Sequence, residues 1–207
     1  TKVLENHRDV IVFEDDILTH RDTLNYFEYL LNFYRTNQKV YSISANSQTR
    51  SPFKVPENYP FDVFFTHKTW SWGWATWADR WQTADWKLID FDRFLKNPVL
   101  VHEFVSKFGE GTLTRLKNWH DGSSDIWACR WSYAHFKHSG LCALPNFSLT
   151  AHIGNDDKST NSAGLTRINI DHKRLIPYPM KLPPSPYIDE SVQECFSAAR
   201  NSTGQAR

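Results

Sequence analysis

The chain has 207 residues, of which 40% are hydrophobic and 23% charged, with 24 basic and 23 acidic side chains and a formal net charge of +1. That is enough for one domain with a sizeable core, and no basic run is long enough for a nucleic-acid footprint, so DNA and RNA are set aside as partners. No apolar run approaches the ~20 residues of a membrane span, and the widely spaced Cys129, Cys142 and Cys195 form neither a C-x-x-C pair nor a disulfide framework, which suits a reducing compartment.

In chain order, Val10–Phe13 is a β-branched and aromatic run that reads as a strand buried on both faces, closed abruptly by Glu14, Asp15 and Asp16. Thr19-x-x-Asp22 reads as a capping box for a helix carrying Leu24, Phe27, Leu31 and Tyr34 at helical spacing. Val40–Ser44 and Asp62–Thr66 read as further strands, with a Pro-bearing loop over Ser51–Pro60. Ala75–Trp81 predicts a short helix with Trp77 and Trp81 on one face, and Pro98–Phe108 and Thr112–Trp119 predict two more, broken at Gly109 and Gly111. Ser123 or Ser124 would cap a helix ending near His138, with Gly140 as its stop. Leu141–Leu144 and Phe147–Ala151 are short strands around Pro145. The polar run Asn155–Gly164 reads as a mobile loop, Pro177–Pro186 as an arm and Asn201–Arg207 as a frayed tail. The division expected is thus a main portion over 1–164 and an arm with tail over 165–207.

The chemistry concentrates in three places. In an open α/β sheet, ligands bind beyond the carboxyl ends of the strands, where Glu14, Asp15 and Asp16 lie. Clustered carboxylates repel one another unless a cation or hydrogen-bond donors hold them, and hard oxygen ligands suit Mg²⁺ or Mn²⁺. On these residues alone a phosphatase or nuclease is equally allowed. The second place is Trp70-Ser-Trp-Gly-Trp-Ala-Thr-Trp77. Aromatic residues make up 15% of the chain, and flat rings can stack on sugar or simply fill a core. The third is Ser123-Ser-Asp-Ile-Trp127, where Asp125 would sit in the first turn of a helix. His135 and His138 lie three apart and could bind metal, although that spacing more often marks a solvated face.

VIVFEDDILTHRDTLNYFEYLL resembles the segment of N-acetylglucosaminyltransferase I-like enzymes and related bacterial sugar transferases that holds their DXD-equivalent motif. The resemblance spans about residues 8–162. It implies a GT-A-like mixed sheet flanked by helices, in an α/β fold lacking the N-terminal nucleotide-binding βαβ portion, because only 13 residues precede Glu14. It implies Asp16 as ligand of Mn²⁺ or Mg²⁺, Glu14 and Asp15 as nucleotide contacts, and His152 as a second metal ligand before a loop that closes over the donor. Gly73 would admit close backbone approach, Trp72 and Trp74 would stack on sugar, and Asp125 would be the catalytic base of an inverting transfer; the family often shows adjacent acids there, and Ser124 breaks that pattern. The partners implied are a nucleotide-sugar donor, probed first as UDP-linked, and a glycan, protein or lipid-linked acceptor. The location implied is cytoplasmic or peripheral to a bacterial inner membrane. A truncated chain of this kind is expected to be inactive, to bind nucleotide poorly and to self-associate through an exposed sheet edge. A catalytically idle carbohydrate-binding relative and a metal-dependent phosphoesterase are the alternatives.

Overall fold

The computed structural model describes residues 2–47, 54–153 and 170–201. The loop expected over Asn155–Gly164 and the tail beyond Asn201 lie outside them. The chain runs through α1 (Lys2–Asn6), β1 (Asp9–Val12), β2 (Ile17–Thr19), α2 (Thr23–Phe33), β3 (Val40–Ser44), β4 (Val63–Thr66) and β5 (Trp74–Trp77). Then come α3 (Ala78–Gln82), α4 (Phe91–Leu95), α5 (Pro98–Phe108), α6 (Glu110–His120) and α7 (Ala128–Lys137). Strands β6 (Leu141–Pro145) and β7 (Thr150–His152) and helix α8 (Glu190–Asn201) follow.

Five strands form a mixed sheet in the order β1-β5-β3-β6-β4, with β3 and β6 parallel and the other pairs antiparallel. Alternation along the strands sends Ala75, Trp77, Ala143, Val63 and Phe65 to one face, where Tyr26, Phe27, Leu30 and Leu31 of α2 cover them. The other face receives Trp74 against Trp131 and Ala134 of α7, and Phe64, Cys142 and Leu144 against Val192 of α8. Helices α4 to α7 add an aromatic cluster of their own around Phe91, Phe94, Phe104 and Tyr133. The result is an α/β fold with helices on both faces of one sheet.

Several boundaries follow from local chemistry. Asn97 accepts from the amides of Val99 and Leu100 at 3.2 Å each, and Pro98 fills a position whose N–H would be idle, so α5 begins where the sequence says. Others depart from expectation for long-range reasons. Trp74–Trp77 is a strand rather than part of a helix, because it is held between two neighbours: Ala75 is opposite Ile11 on one side and Ile43 on the other. β1 is half-buried along its length rather than buried on both faces, because it forms the edge of the sheet. Thr19 belongs to β2, which pairs with β7, and the Asp22 side chain caps no amide; the Asp22 N–H donates to His20 Nδ1 at 3.1 Å. The helix expected to start at Ser123 or Ser124 starts at Ala128, while α6 begins at Glu110 and runs across Gly111. Within 170–201, Ile176 and Met180 are buried in the main core, and α8 follows the Pro-rich stretch. Among the described residues no helix is long and apolar enough to cross a membrane.

One buried cation ties α2 to β5. Arg80 is 2% exposed and pairs with Asp79 at 2.8 Å. Its Nη2 donates to the carbonyls of Arg35 at 2.6 Å and Asn37 at 3.2 Å, just past the end of α2, and its guanidinium lies 4.5 Å from the centre of the Trp77 ring. Carbonyls at a helix C-terminus lack helical partners and carry partial negative charge, so a cation there serves both needs. Arg80→Met is therefore expected to lower stability by about 2–4 kcal/mol, read as a shift of the urea midpoint at unchanged slope.

The pair His135 and His138 is not a solvated face. His135 is wholly buried, with Nε2 3.2 Å from Ser42 Oγ and Nδ1 3.2 Å from the Gly140 carbonyl, while His138 stacks on Tyr41 at the surface. Burial holds the His135 imidazole down at about 3, far below its ordinary 6.5.

Candidate functional site

The acidic turn is built by a reversal. After β1 the chain passes Phe13 and Glu14, and the Ile17 N–H closes a turn onto the Glu14 carbonyl at 3.3 Å. The chain then enters β2, which pairs antiparallel with β7, so Ile17 stands opposite His152, and the Ile153 N–H donates to the Asp16 carbonyl at 2.9 Å. That pairing brings His152 Nε2 to 2.9 Å from Asp16 Oδ2, with the two side chains 9% and 37% exposed. The His152 ring lies stacked against Trp72, centroids 4.8 Å apart. Thr150 on β7 anchors the same loop from below, donating to the Trp72 carbonyl at 2.7 Å.

Glu14 is half-buried beside this pair and shares a side-chain hydrogen bond with Ser71. Its acid is raised above the usual 4.5, first by burial and then by the charges of Asp16 and Asp15, against the lowering effect of Ser71 and His152. Asp15 is exposed at the tip of the turn. Glu14, Asp16, His152, Ser71 and Trp72 therefore form one neighbourhood drawn from three separate stretches of chain.

Gly73 has φ +80°, and a Cβ there would sit 2.9 Å from Thr150 Cγ2 and 3.1 Å from Phe13 Cε1. Both the backbone and the space demand glycine. Gly73→Ala is expected to cost about 1–3 kcal/mol and to displace Trp72 from His152. Chemical denaturation reads the first effect and the near-ultraviolet circular dichroism of the Trp residues the second. Trp74, in contrast, is 5% exposed and packs among Trp81, Trp127 and Trp131, with its ring on the wall of a second, apolar cavity that Glu14 also lines.

Among the described residues no three His, Cys, Asp or Glu side chains converge as a ready metal cage. Asp16 and His152 do meet a looser requirement. Asp16 Oδ1 and His152 Nδ1 are buried without a hydrogen-bond partner among the described residues. A hard cation on phosphate commonly uses only one or two carboxylates, keeping its other positions for oxygens of water and substrate. Of the two side chains, the Asp16 carboxylate is the donor type such a cation prefers, and the His152 imidazole is the softer one.

A cleft of about 320 Å³ opens beside the turn, and Ser71 and Trp72, which touch Glu14 and His152, lie on its wall. Trp70, Trp127 and Trp131 add aromatic wall, and Lys68 and Arg115 add positive charge. Asp125 is exposed, in the loop ahead of α7 rather than in its first turn. Its neighbours Ile126 and Trp127 line the cleft. Ser71, Arg115 and Trp127 were not singled out by sequence: a serine between tryptophans and an arginine on a polar helix face carry no distinguishing pattern. No family model and no curated protein matches this chain.

Proposed function

We propose that this chain serves an inverting, GT-A-type glycosyltransferase activity that moves a sugar from a nucleotide-sugar, UDP-linked in the first instance, to a glycan, protein or lipid-linked acceptor. The observation that carries this is the gathering of Asp16, His152, Glu14 and Trp72 at the edge of an aromatic-walled cleft. Asp16 and His152 would hold Mn²⁺ or Mg²⁺, which when bound supplies positive charge for the diphosphate leaving group. Glu14 and Asp15 would face the nucleotide. Gly73 keeps the loop under Trp72 close to β7, so the ring stays placed at the cleft wall.

In the transfer, an acceptor hydroxyl forms a bond to the anomeric carbon while the bond from that carbon to the diphosphate oxygen breaks, the electron pair leaving with the diphosphate. The hydroxyl proton passes to a carboxylate, a role we assign to Asp125 at the cleft loop. The direct contact of Asp16 with His152 favours one other reading, a carbohydrate-binding relative that has lost turnover. The test is a panel of nucleotide sugars offered to the natural gene product with Mn²⁺, scoring nucleotide release in the presence of candidate acceptors. Release that stops on chelation and returns with Mn²⁺ supports the transferase. Sugar binding without release, unaltered by Asp16→Ala, supports the binding protein.

A further inference from the structure

We infer that the 320 Å³ cleft takes an anionic carbohydrate, a sugar bearing a carboxylate or a phosphate, with its charged group on Arg115. The role of that sugar as acceptor rests on the proposed transferase function; its binding does not. Among the described residues no Asp or Glu side chain lines the cleft, while Arg115 does. Arg115 stands on α6, is exposed, and makes no ion pair with a described carboxylate. An uncompensated guanidinium on a low-dielectric, aromatic wall attracts anions and recognises carboxylate or phosphate in a bidentate fork.

The remainder of the lining suits a sugar ring. Trp70, Trp72 and Trp127 line the cleft with aromatic surface, and the hydroxyls of Thr69 and Ser132, 3.0 Å apart, add polar groups to its wall. The volume matches the small end of ligand sites, about 300 Å³, as one or two sugar units require. Charge also sets a direction. Ser71 joins the cleft to the Glu14 carboxylate, which repels an anion, whereas α6 contributes the cation. A ligand is thereby turned with its anion toward α6 and its neutral hydroxyls toward the acidic turn.

The experiment titrates the protein, without metal or nucleotide, with methyl β-glucoside, methyl β-glucuronide and methyl glucoside 6-phosphate, following the indole N–H resonances by NMR. At low salt the charged sugars are expected to bind roughly fivefold to tenfold more tightly than the neutral one. Arg115→Gln should cut that preference to within about twofold, and so should salt near 1 M, where the Debye length is about 3 Å. Preference for the glucuronide points to uronic-acid glycans, and preference for the phosphate to phosphorylated sugars; either supports the assignment. Equal binding of all three, a preference that survives Arg115→Gln, or no shift with any sugar would overturn it. Nucleotide release is not read here, so loss of the transferase function and loss of this site are distinguishable.

Discussion

Asp16→Asn should reduce metal-dependent sugar transfer by about 10³-fold or more, with folding intact. The substitution keeps the shape of the side chain and its contact with His152 while removing the negative charge. Neutralising the charge that develops on a departing diphosphate contributes several kcal/mol, and each 1.36 kcal/mol is a factor of ten in rate. His152→Gln should have a smaller effect, because it leaves the Asp16 carboxylate in place while removing one neutral donor. The check is steady-state release of nucleoside diphosphate over a range of Mn²⁺ concentrations. A charge lost from a metal site raises the Mn²⁺ requirement as well as lowering the maximum rate, whereas mere local loosening at the turn would lower the rate without moving the metal dependence.

The second large effect is on stability against pH. His135 has a folded value of about 3 against an ordinary 6.5. Between those limits the unfolded chain takes up a proton that the folded chain refuses, so the unfolded state binds more protons and stability falls as pH falls. The full slope is about 1.4 kcal/mol per pH unit, which accumulates to roughly 4 kcal/mol by the bottom of the window. His67 shifts in the same direction, lowered first by burial and then by Lys107, and adds to the trend. Urea unfolding at pH 7, 6, 5 and 4 should give a stability that declines steeply in the wild type and less steeply in His135→Gln. Equal slopes in the two proteins would mean that His135 is not held neutral by its burial.

What could be read from sequence divides by range. α5 and β3 were legible because their signals are local: a cap and a proline at the start of one, Val40, Tyr41 and Ile43 within a short run in the other. Trp74–Trp77 was misread because a short apolar stretch serves either period, and the choice is made by β1 and β3 on either side. β2 was missed for the same reason, since three residues form a strand only through pairing with β7. The burial of His135 depends on Ser42 and Gly140, which the spacing of the two histidines does not reveal.

The candidate site shows the same division. The acids after Val12 announced themselves by type and position, whereas His152 was singled out only through the family resemblance. Their contact at 2.9 Å was not, because it needs the β2–β7 pairing that closes the turn. Trp72 and Trp74 looked alike in sequence, yet Trp74 opens β5 and is buried beneath α7, while Trp72 precedes the strand, across the left-handed Gly73, and lies against His152 at the cleft. Asp125 kept its place near the cleft while losing the helix turn expected to hold it, since α7 begins three residues later.

The claim on which the rest depends is that the Asp16 carboxylate takes part in holding a divalent cation on a diphosphate. Electron paramagnetic resonance tests it directly, by following the free Mn²⁺ signal as protein is added in the presence of UDP. Wild-type protein should remove signal beyond that taken up by UDP alone, and Asp16→Asn should fail to do so. If the natural gene product and its Asp16→Asn variant remove the same amount, the cation is not held there.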